Sequence, residues 1–300
     1  MTTIGFIGLG TMGRPMAGHM FSRLPAGDAM VLNDRSTERV ADLLAEGAIW
    51  ADTARELGAQ AEVVFFMVPD VPQVKDVLDG PDGLLAGIGD REVLLVVCST
   101  VAPDAIRKFD QEVSEATQGR VRVIDAPVSG GQVGAEAGTL SIMVGGPDEL
   151  VALAMPYLEL TGNPVHLGPT GAGEVAKACN QLICAASLVS IAEAAVVAER
   201  AGIDVGKLFE LLQGGYAGST IMADKGPRYA AKDYSVSGAA IFWIKDLLAY
   251  LDEAKRTGTP TMQADRLLDA FQGVVDAGWG WEDTAIVQKF IEEQTLPTAE

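Results

Sequence analysis

A chain of 300 residues with 48% hydrophobic and 21% charged side chains has the makeup of one large folded core or two ordinary ones, which excludes a disordered protein. Its formal net charge of −19 opposes nucleic acid and anionic membrane surfaces, so an anionic ligand would have to be held by local backbone dipoles. With only two histidines, His19 and His166, there is no material for a histidine-rich site, and no metal is expected.

The chain runs directly into Thr3-Ile4-Gly5-Phe6-Ile7 with no basic stretch ahead, so no signal peptide is expected. The first half then alternates apolar runs with helical patterns. Strands are predicted at Ile4–Ile7, Met30–Leu32, Val63–Val68, Val93–Cys98, Val121–Ile124 and Ser141–Val144, with helices over Met12–Leu24, Glu38–Glu46 and Pro103–Ala116. That alternation predicts an α/β fold with a doubly wound, mostly parallel sheet. After Gly168 only helical periodicity continues, broken at Gly202, Gly214-Gly215, Gly258 and Gly278. The expected domains are therefore a dinucleotide-binding α/β domain over 1–167 and an all-helical domain over 168–300.

Glu174 to Arg200 is alanine-rich and apolar nearly all round, so it must be covered on several sides. A homodimer or homotetramer is expected. The uncharged stretch between Lys177 and Glu193 is too short for a membrane span and carries Asn180, Gln181, Ser187 and Ser190, so it reads as a core helix. Cys98, Cys179 and Cys184 are an odd set with apolar neighbours, which suits reduced thiols and a cytoplasmic protein.

Gly8-Leu9-Gly10-Thr11-Met12-Gly13 lies between a strand and a helix. Its glycines would allow a tight turn, a close backbone approach to a pyrophosphate and close helix–strand packing, and the helix start supplies N–H donors. By itself the pattern reads as readily as a structural turn. Asn33-Asp34-Arg35 at the end of the second strand, about 20 residues on, places a carboxylate where the dinucleotide fingerprint needs one.

Four segments together resemble the β-hydroxyacid dehydrogenases, the family of 3-hydroxyisobutyrate dehydrogenase and 2-hydroxy-3-oxopropionate (tartronate semialdehyde) reductase. They are Gly5 to Ala17; Asp125-Ala126-Pro127-Val128-Ser129-Gly130-Gly131 continuing to Leu140; Gly168 to Gly173 followed by Lys177 and Asn180; and Ile244-Lys245-Asp246-Leu247. The resemblance implies NAD or NADP as cofactor and Lys177 as catalytic acid/base. It also implies that Ser129, Gly130 and Gly131 cradle the substrate carboxylate and that Asn180 or Gln181 contacts substrate. Thr100 would lie beside the nicotinamide, Val68 and Pro69 would bracket the adenosine, and Lys245 would touch the cofactor.

Each segment has a plainer reading too: a turn for Ser129-Gly130-Gly131, a solvated charge for Lys177, a surface ion pair for Lys245-Asp246. Lys177 lacks a solvated setting, because the helix after it is uncharged for many residues. A partly desolvated lysine can be drawn toward neutrality and exchange protons there. Imine reductases share this architecture but usually lack the lysine, and 6-phosphogluconate dehydrogenases have a much longer helical part. A catalytically silent NAD-binding interaction protein should have lost Lys177 or the Ser129-Gly130-Gly131 segment.

The Asn180-Gln181 pair and Gly214 to Thr220 resemble the 2-hydroxy-3-oxopropionate reductases more than the 3-hydroxyisobutyrate dehydrogenases, and that resemblance implies 2-hydroxy-3-oxopropionate/D-glycerate as substrate pair, ahead of 3-hydroxyisobutyrate, serine and 4-hydroxybutyrate. Tyr216 is expected to trim the pocket. Asp34 favours NAD(H), while Arg35 beside Ser36 and Thr37 leaves NADP(H) usable.

Overall fold

Val63-Val64-Phe65-Phe66 and Val93-Leu94-Leu95-Val96-Val97 offer no polar face, which suits strands covered on both sides. In the computed structural model, which describes residues 2–294, both are central strands. The described residues form two compact units that part between Lys177 and Ala178.

The first unit holds β1 (Thr3–Ile7), β2 (Ala29–Asn33), β3 (Ile49–Trp50), β4 (Val63–Phe66), β5 (Val93–Val97), β6 (Val121–Asp125), β7 (Val128–Ser129), β8 (Leu140–Gly145) and β9 (Gly162–Gly168). Its helices are α1 (Gly13–Ser22), α2 (Ala41–Ala45), α3 (Ala54–Gly58), α4 (Val71–Leu78), α5 (Leu84–Ile88), α6 (Pro103–Ala116), α7 (Gly131–Ala137) and α8 (Asp148–Leu158). α9 (Ala172–Arg200) starts here and runs on into the second unit.

The sheet order is β3-β2-β1-β4-β5-β6-β8-β7, with β9 on β8. The first six strands are parallel, and β8 joins antiparallel to β6 and β7. The order reverses between β1 and β4, and the crevice outside the strand ends at such a point is where this architecture binds ligands. Alternate side chains feed two cores, Phe6, Phe65 and Val96 on one face and Val64, Phe66 and Leu95 on the other.

β3, β7 and β9 were not among the expected strands. β9 carries Pro164 and alternates half-buried with exposed residues, so it lacks the apolar run that marks the central strands. It is held by parallel pairing with β8 that shifts register between Val144 and Gly145, and at Gly162 the strands are so close that a Cβ would stand 2.0 Å from the Leu140 carbonyl oxygen. The expected break at residues 167/168 coincides with the end of β9, and the first unit keeps the opening turns of α9 as well.

The second unit is built from the rest of α9 with α10 (Val205–Gln213), α11 (Thr220–Ala231), α12 (Phe242–Thr257), α13 (Ala264–Asp276) and α14 (Val287–Glu293). Leu188, Ala192, Phe209, Tyr229, Leu247 and Phe271 form its core. α9 is longer than the uncharged stretch within it and by length and composition suffices to cross a bilayer, a measure that core helices of soluble proteins also meet. Its Ile183 and Val197 are 65% and 68% exposed.

Candidate active site

The glycine loop is built as its three roles require. Gly8 adopts φ +94, and a Cβ there would press 2.5 Å from the Met67 carbonyl oxygen. A Cβ on Gly13 would lie 1.9 Å from the Gly8 carbonyl oxygen, so the start of α1 packs directly on the loop. Over Gly10 there is open space, with no heavy atom within 4 Å of a Cβ. No side chain caps the start of α1, whose N-cap residue is Met12. Free amides, a helix dipole and open space above the middle glycine together fit a dinucleotide pyrophosphate.

Asp34 follows β2 and turns back onto this loop. Its carboxylate accepts the Leu9 N–H through Oδ2 and the Arg35 N–H through Oδ1, the second at 2.6 Å. The Gly8 N–H reaches the Asn33 carbonyl (3.3 Å), while the Asn33 amide donates to the Ala51 carbonyl (2.9 Å). Arg35 and Thr11 are exposed.

A second line of contacts leads along the strand ends. Val68 lies beside Gly8, its Cγ1 3.0 Å from where a Cβ would stand, and the Val68 carbonyl accepts a hydrogen bond from the Ser99 hydroxyl. Pro69 is exposed, and Asp70 caps α4 by accepting the Gln73 N–H (3.0 Å). Beyond Thr100, the Val101 N–H donates to Glu174 Oε2 (3.2 Å) in the first turn of α9. Asp125 at the end of β6 accepts the N–H of Gly171 (2.6 Å) and of Glu174 (2.8 Å). Lys177, one turn on, is 7% exposed. The structure thus links the strand-end loops of Asp34, Val68 and Thr100 to the helix start that bears Lys177, all within the first unit.

Ser129 ends β7, paired with Ser141 of β8. Gly130 and Gly131 follow at φ +133 and +59, where only glycine sits without strain, and α7 begins at once. This is a strand-to-helix turn whose helix start no side chain caps, with the Leu140 side chain over Gly130 and open space over Gly131.

Asn180, Gln181 and Lys245 belong to the second unit, where they meet through Asp246. The Gln181 amide donates to Asp246 Oδ2 (2.6 Å), and the Asn180 amide donates to Gln181 Oε1 (2.9 Å) and lies 3.6 Å from Cys184 Sγ. Lys245 Nζ lies 3.2 Å from Asp246 Oδ1, at ion-pair distance but without hydrogen-bond geometry. The plain reading of Lys245-Asp246 as an ion pair thus describes a contact that is present, although Asp246 is mostly buried rather than on the surface. Gln181 spends its N–H on Asp246 and its carbonyl on Asn180, so Asn180 is the amide left with an unengaged oxygen. Tyr216 is fully exposed in this chain and lines an open hollow of the second unit together with Ile183, Ser187 and Leu212.

Both histidines face backbone carbonyls, His19 that of Glu136 (2.9 Å) and His166 those of Gly146 (2.8 Å) and Gly168 (2.9 Å). Among the described residues no three metal-ligating side chains come together. Two carboxylates that reasoning from the sequence did not single out are Asp125 and Glu174. The available signal for each was a charge inside an apolar stretch.

A β3-β2-β1-β4-β5-β6 sheet with this glycine loop defines a dinucleotide-binding oxidoreductase, and comparison with known proteins narrows the class. Residues 3–171 match the family described as the NAD-binding domain of 6-phosphogluconate dehydrogenase, and residues 171–291 match the NAD-binding family of NADP-dependent 3-hydroxyisobutyrate dehydrogenase. The 3-hydroxyisobutyrate dehydrogenase of Pseudomonas aeruginosa is 42% identical over 71% of this chain and 70% of its own. The 2-hydroxy-3-oxopropionate reductase of Escherichia coli is 36% identical over 84% of each. A solved Mycobacterium tuberculosis 3-hydroxyisobutyrate dehydrogenase with L-serine superposes with TM-score 0.80 at 30% identity, covering 97% of this chain and 99% of that one. The chain belongs to the β-hydroxyacid dehydrogenase family and is an NAD(P)-dependent 3-hydroxyacid dehydrogenase or reductase.

Proposed function

We propose that the protein interconverts 2-hydroxy-3-oxopropionate and D-glycerate with Lys177 as acid/base. The observation that carries the reading is a buried lysine on a helix start tied to the loop after Thr100. Bound NAD(H) supplies or takes the hydride. Gly8 to Gly13 would hold its pyrophosphate, Asn33 to Arg35 its adenosine ribose, Val68-Pro69 the adenosine side, Thr100 the nicotinamide end and Lys245 a further cofactor contact. The amides of Gly130 and Gly131 and the Ser129 hydroxyl would bind the substrate carboxylate, which leaves the 3-carbon as the reacting end. In oxidation Lys177 Nζ takes the proton of the 3-hydroxyl; in reduction it returns that proton to the forming oxygen. Asn180 offers its unengaged carbonyl oxygen, which accepts from a hydroxyl or an ammonium, while Gln181 orients it.

A panel of D-glycerate, 3-hydroxyisobutyrate, L-serine and 4-hydroxybutyrate with NAD⁺ and NADP⁺, read at the nicotinamide absorbance band, tests this. D-glycerate is expected to give the highest kcat/KM. A higher value for another member moves the assignment to that acid, and silence toward all four removes the substrate class. NAD(H) is the preferred cofactor, because Asp34 is pinned by two amides and would face a 2′-phosphate. Asp34→Ser should improve NADPH use relative to NADH by lifting that repulsion; a kcat/KM for NADPH already higher in the unmodified enzyme assigns the choice to Arg35.

The exposed apolar residues of α9 support a homodimer or homotetramer joined through that helix. Light scattering at micromolar concentration should give at least twice the chain mass, and a monomer refutes it. Among the described residues Cys98, Cys179 and Cys184 form no disulfide, which supports a reducing, cytoplasmic setting.

A further inference from the structure

Asp125 has no exposed surface, and the proposed chemistry does not use it. The residue that opens α9 is Gly171, whose carbonyl accepts the first helical bond from Val175 (3.0 Å). Having no side chain, Gly171 cannot cap the helix itself. In a capping box two orphan amides are satisfied, that of the cap residue and that three residues later. Here the carboxylate of Asp125, 46 residues earlier in the chain, takes both: Oδ1 from Gly171 and Oδ2 from Glu174.

Two glycines bring backbone close against the carboxylate, where any side chain would collide with it. A Cβ on Gly145 would stand 2.6 Å from Oδ1, and one on Gly173 2.8 Å from Oδ2. Glu174, where a capping box would place the residue that reaches back to its own cap, instead reaches forward to the Val101 N–H. Asp125 therefore fixes the turn before Lys177, and Glu174 on that turn ties it to the loop after Thr100.

We infer that Asp125 is a positioning residue: it sets where Lys177 enters the site by capping the turn that carries it. This rests on the reading of Lys177 as acid/base. The arrangement is a poor choice for stability alone. Burial pushes the Asp125 carboxyl up to about 6, against the pull of the Gly171 and Glu174 amides, so the fold does not favour the charged form. The charged and titratable neighbours are Glu174 and Lys177 on α9, Arg107 of α6 beside Gly171, and Cys98 after β5, whose thiol burial and Glu174 push up to about 12.

The test compares Asp125→Asn, Lys177→Ala and the double variant in the full enzyme. Asparagine keeps the shape and one acceptor but turns an N–H toward the other amide. Asp125→Asn is expected to lower kcat roughly 10–10²-fold, with NADH affinity from fluorescence titration changed less than about twofold. In the Lys177→Ala background it should lower kcat no further, because its effect runs through Lys177. Full activity of Asp125→Asn, or losses that simply add in the double variant, overturns the inference while leaving Lys177 in place. Retained turnover in Lys177→Ala overturns the acid/base reading and this one with it. If Asp125→Asn does not fold, Asp125→Ser, smaller and with one hydroxyl acceptor, is read by the same criteria.

Discussion

Lys177→Ala should lower kcat roughly 10²–10⁴-fold and leave NAD(H) affinity nearly unchanged. On the proposed mechanism, removing the side chain removes the group that would exchange the 3-hydroxyl proton, and both histidines are turned to backbone carbonyls instead. Cofactor affinity should be spared because the proposed dinucleotide contacts, the glycine loop and Asp34, lie on other elements. Lys177→Arg separates charge from proton exchange: a guanidinium keeps the positive charge but does not give up a proton at working pH. Arginine should therefore be nearly as slow as alanine. Steady-state rates with a fluorescence titration of NADH check the pair of variants. A kcat for Lys177→Ala within tenfold of the unmodified enzyme rules Lys177 out as acid/base.

The parts of this enzyme that could be read from sequence are those whose physics is local. A buried parallel strand writes itself as an unbroken apolar run, so β1, β4, β5 and β6 were legible, and a strand–glycine loop–helix unit is contiguous in the chain. β9 was not, because a half-exposed strand with glycine at each end and an internal proline has no periodic mark, and only pairing to β8 makes it a strand. The Asp125 cap was hidden for a related reason. Helix caps normally sit next to their helix, whereas this one arrives from β6, with three strands and two helices of the chain in between. Asp125 was in view as the first residue of a motif, but its partners depend on the sheet. The bond from Gln181 to Asp246 was likewise hidden, because Asp246 comes from another helix.

Asp283→Ala should destabilise the protein by about 3–5 kcal/mol, because it removes one partner of a buried ion pair and leaves Lys225 only the longer contact to Asp224 (3.5 Å) and the Ser237 hydroxyl. Asp283 precedes the short 3₁₀ turn Thr284–Ile286 and has no exposed surface. Its oxygens accept the N–H groups of Ala285 (3.0 Å), Ser237 (3.0 Å) and Gly238 (3.2 Å) and the Ser237 hydroxyl (2.7 Å). Lys225 Nζ, itself mostly buried, lies 3.2 Å away, and an Arg228 nitrogen 3.9 Å. Burial alone would raise the carboxyl, but the Ala285 and Ser237 bonds and Lys225 outweigh it and hold it below the ordinary carboxylate range. Since the folded value is depressed, the stabilisation is present above the unfolded carboxyl range and is lost as pH falls through the folded value. Asp125, raised by its burial, has the opposite sign: its ionisation weakens the fold as pH rises through about 6. Urea unfolding of both proteins near neutral pH and at about pH 3 should show the Asp283→Ala deficit shrinking in acid. A deficit below about 1 kcal/mol near neutrality would mean that Lys225 and Arg228 find water as readily as they find Asp283, and the buried pair would not be what holds the second unit's 3₁₀ turn in place.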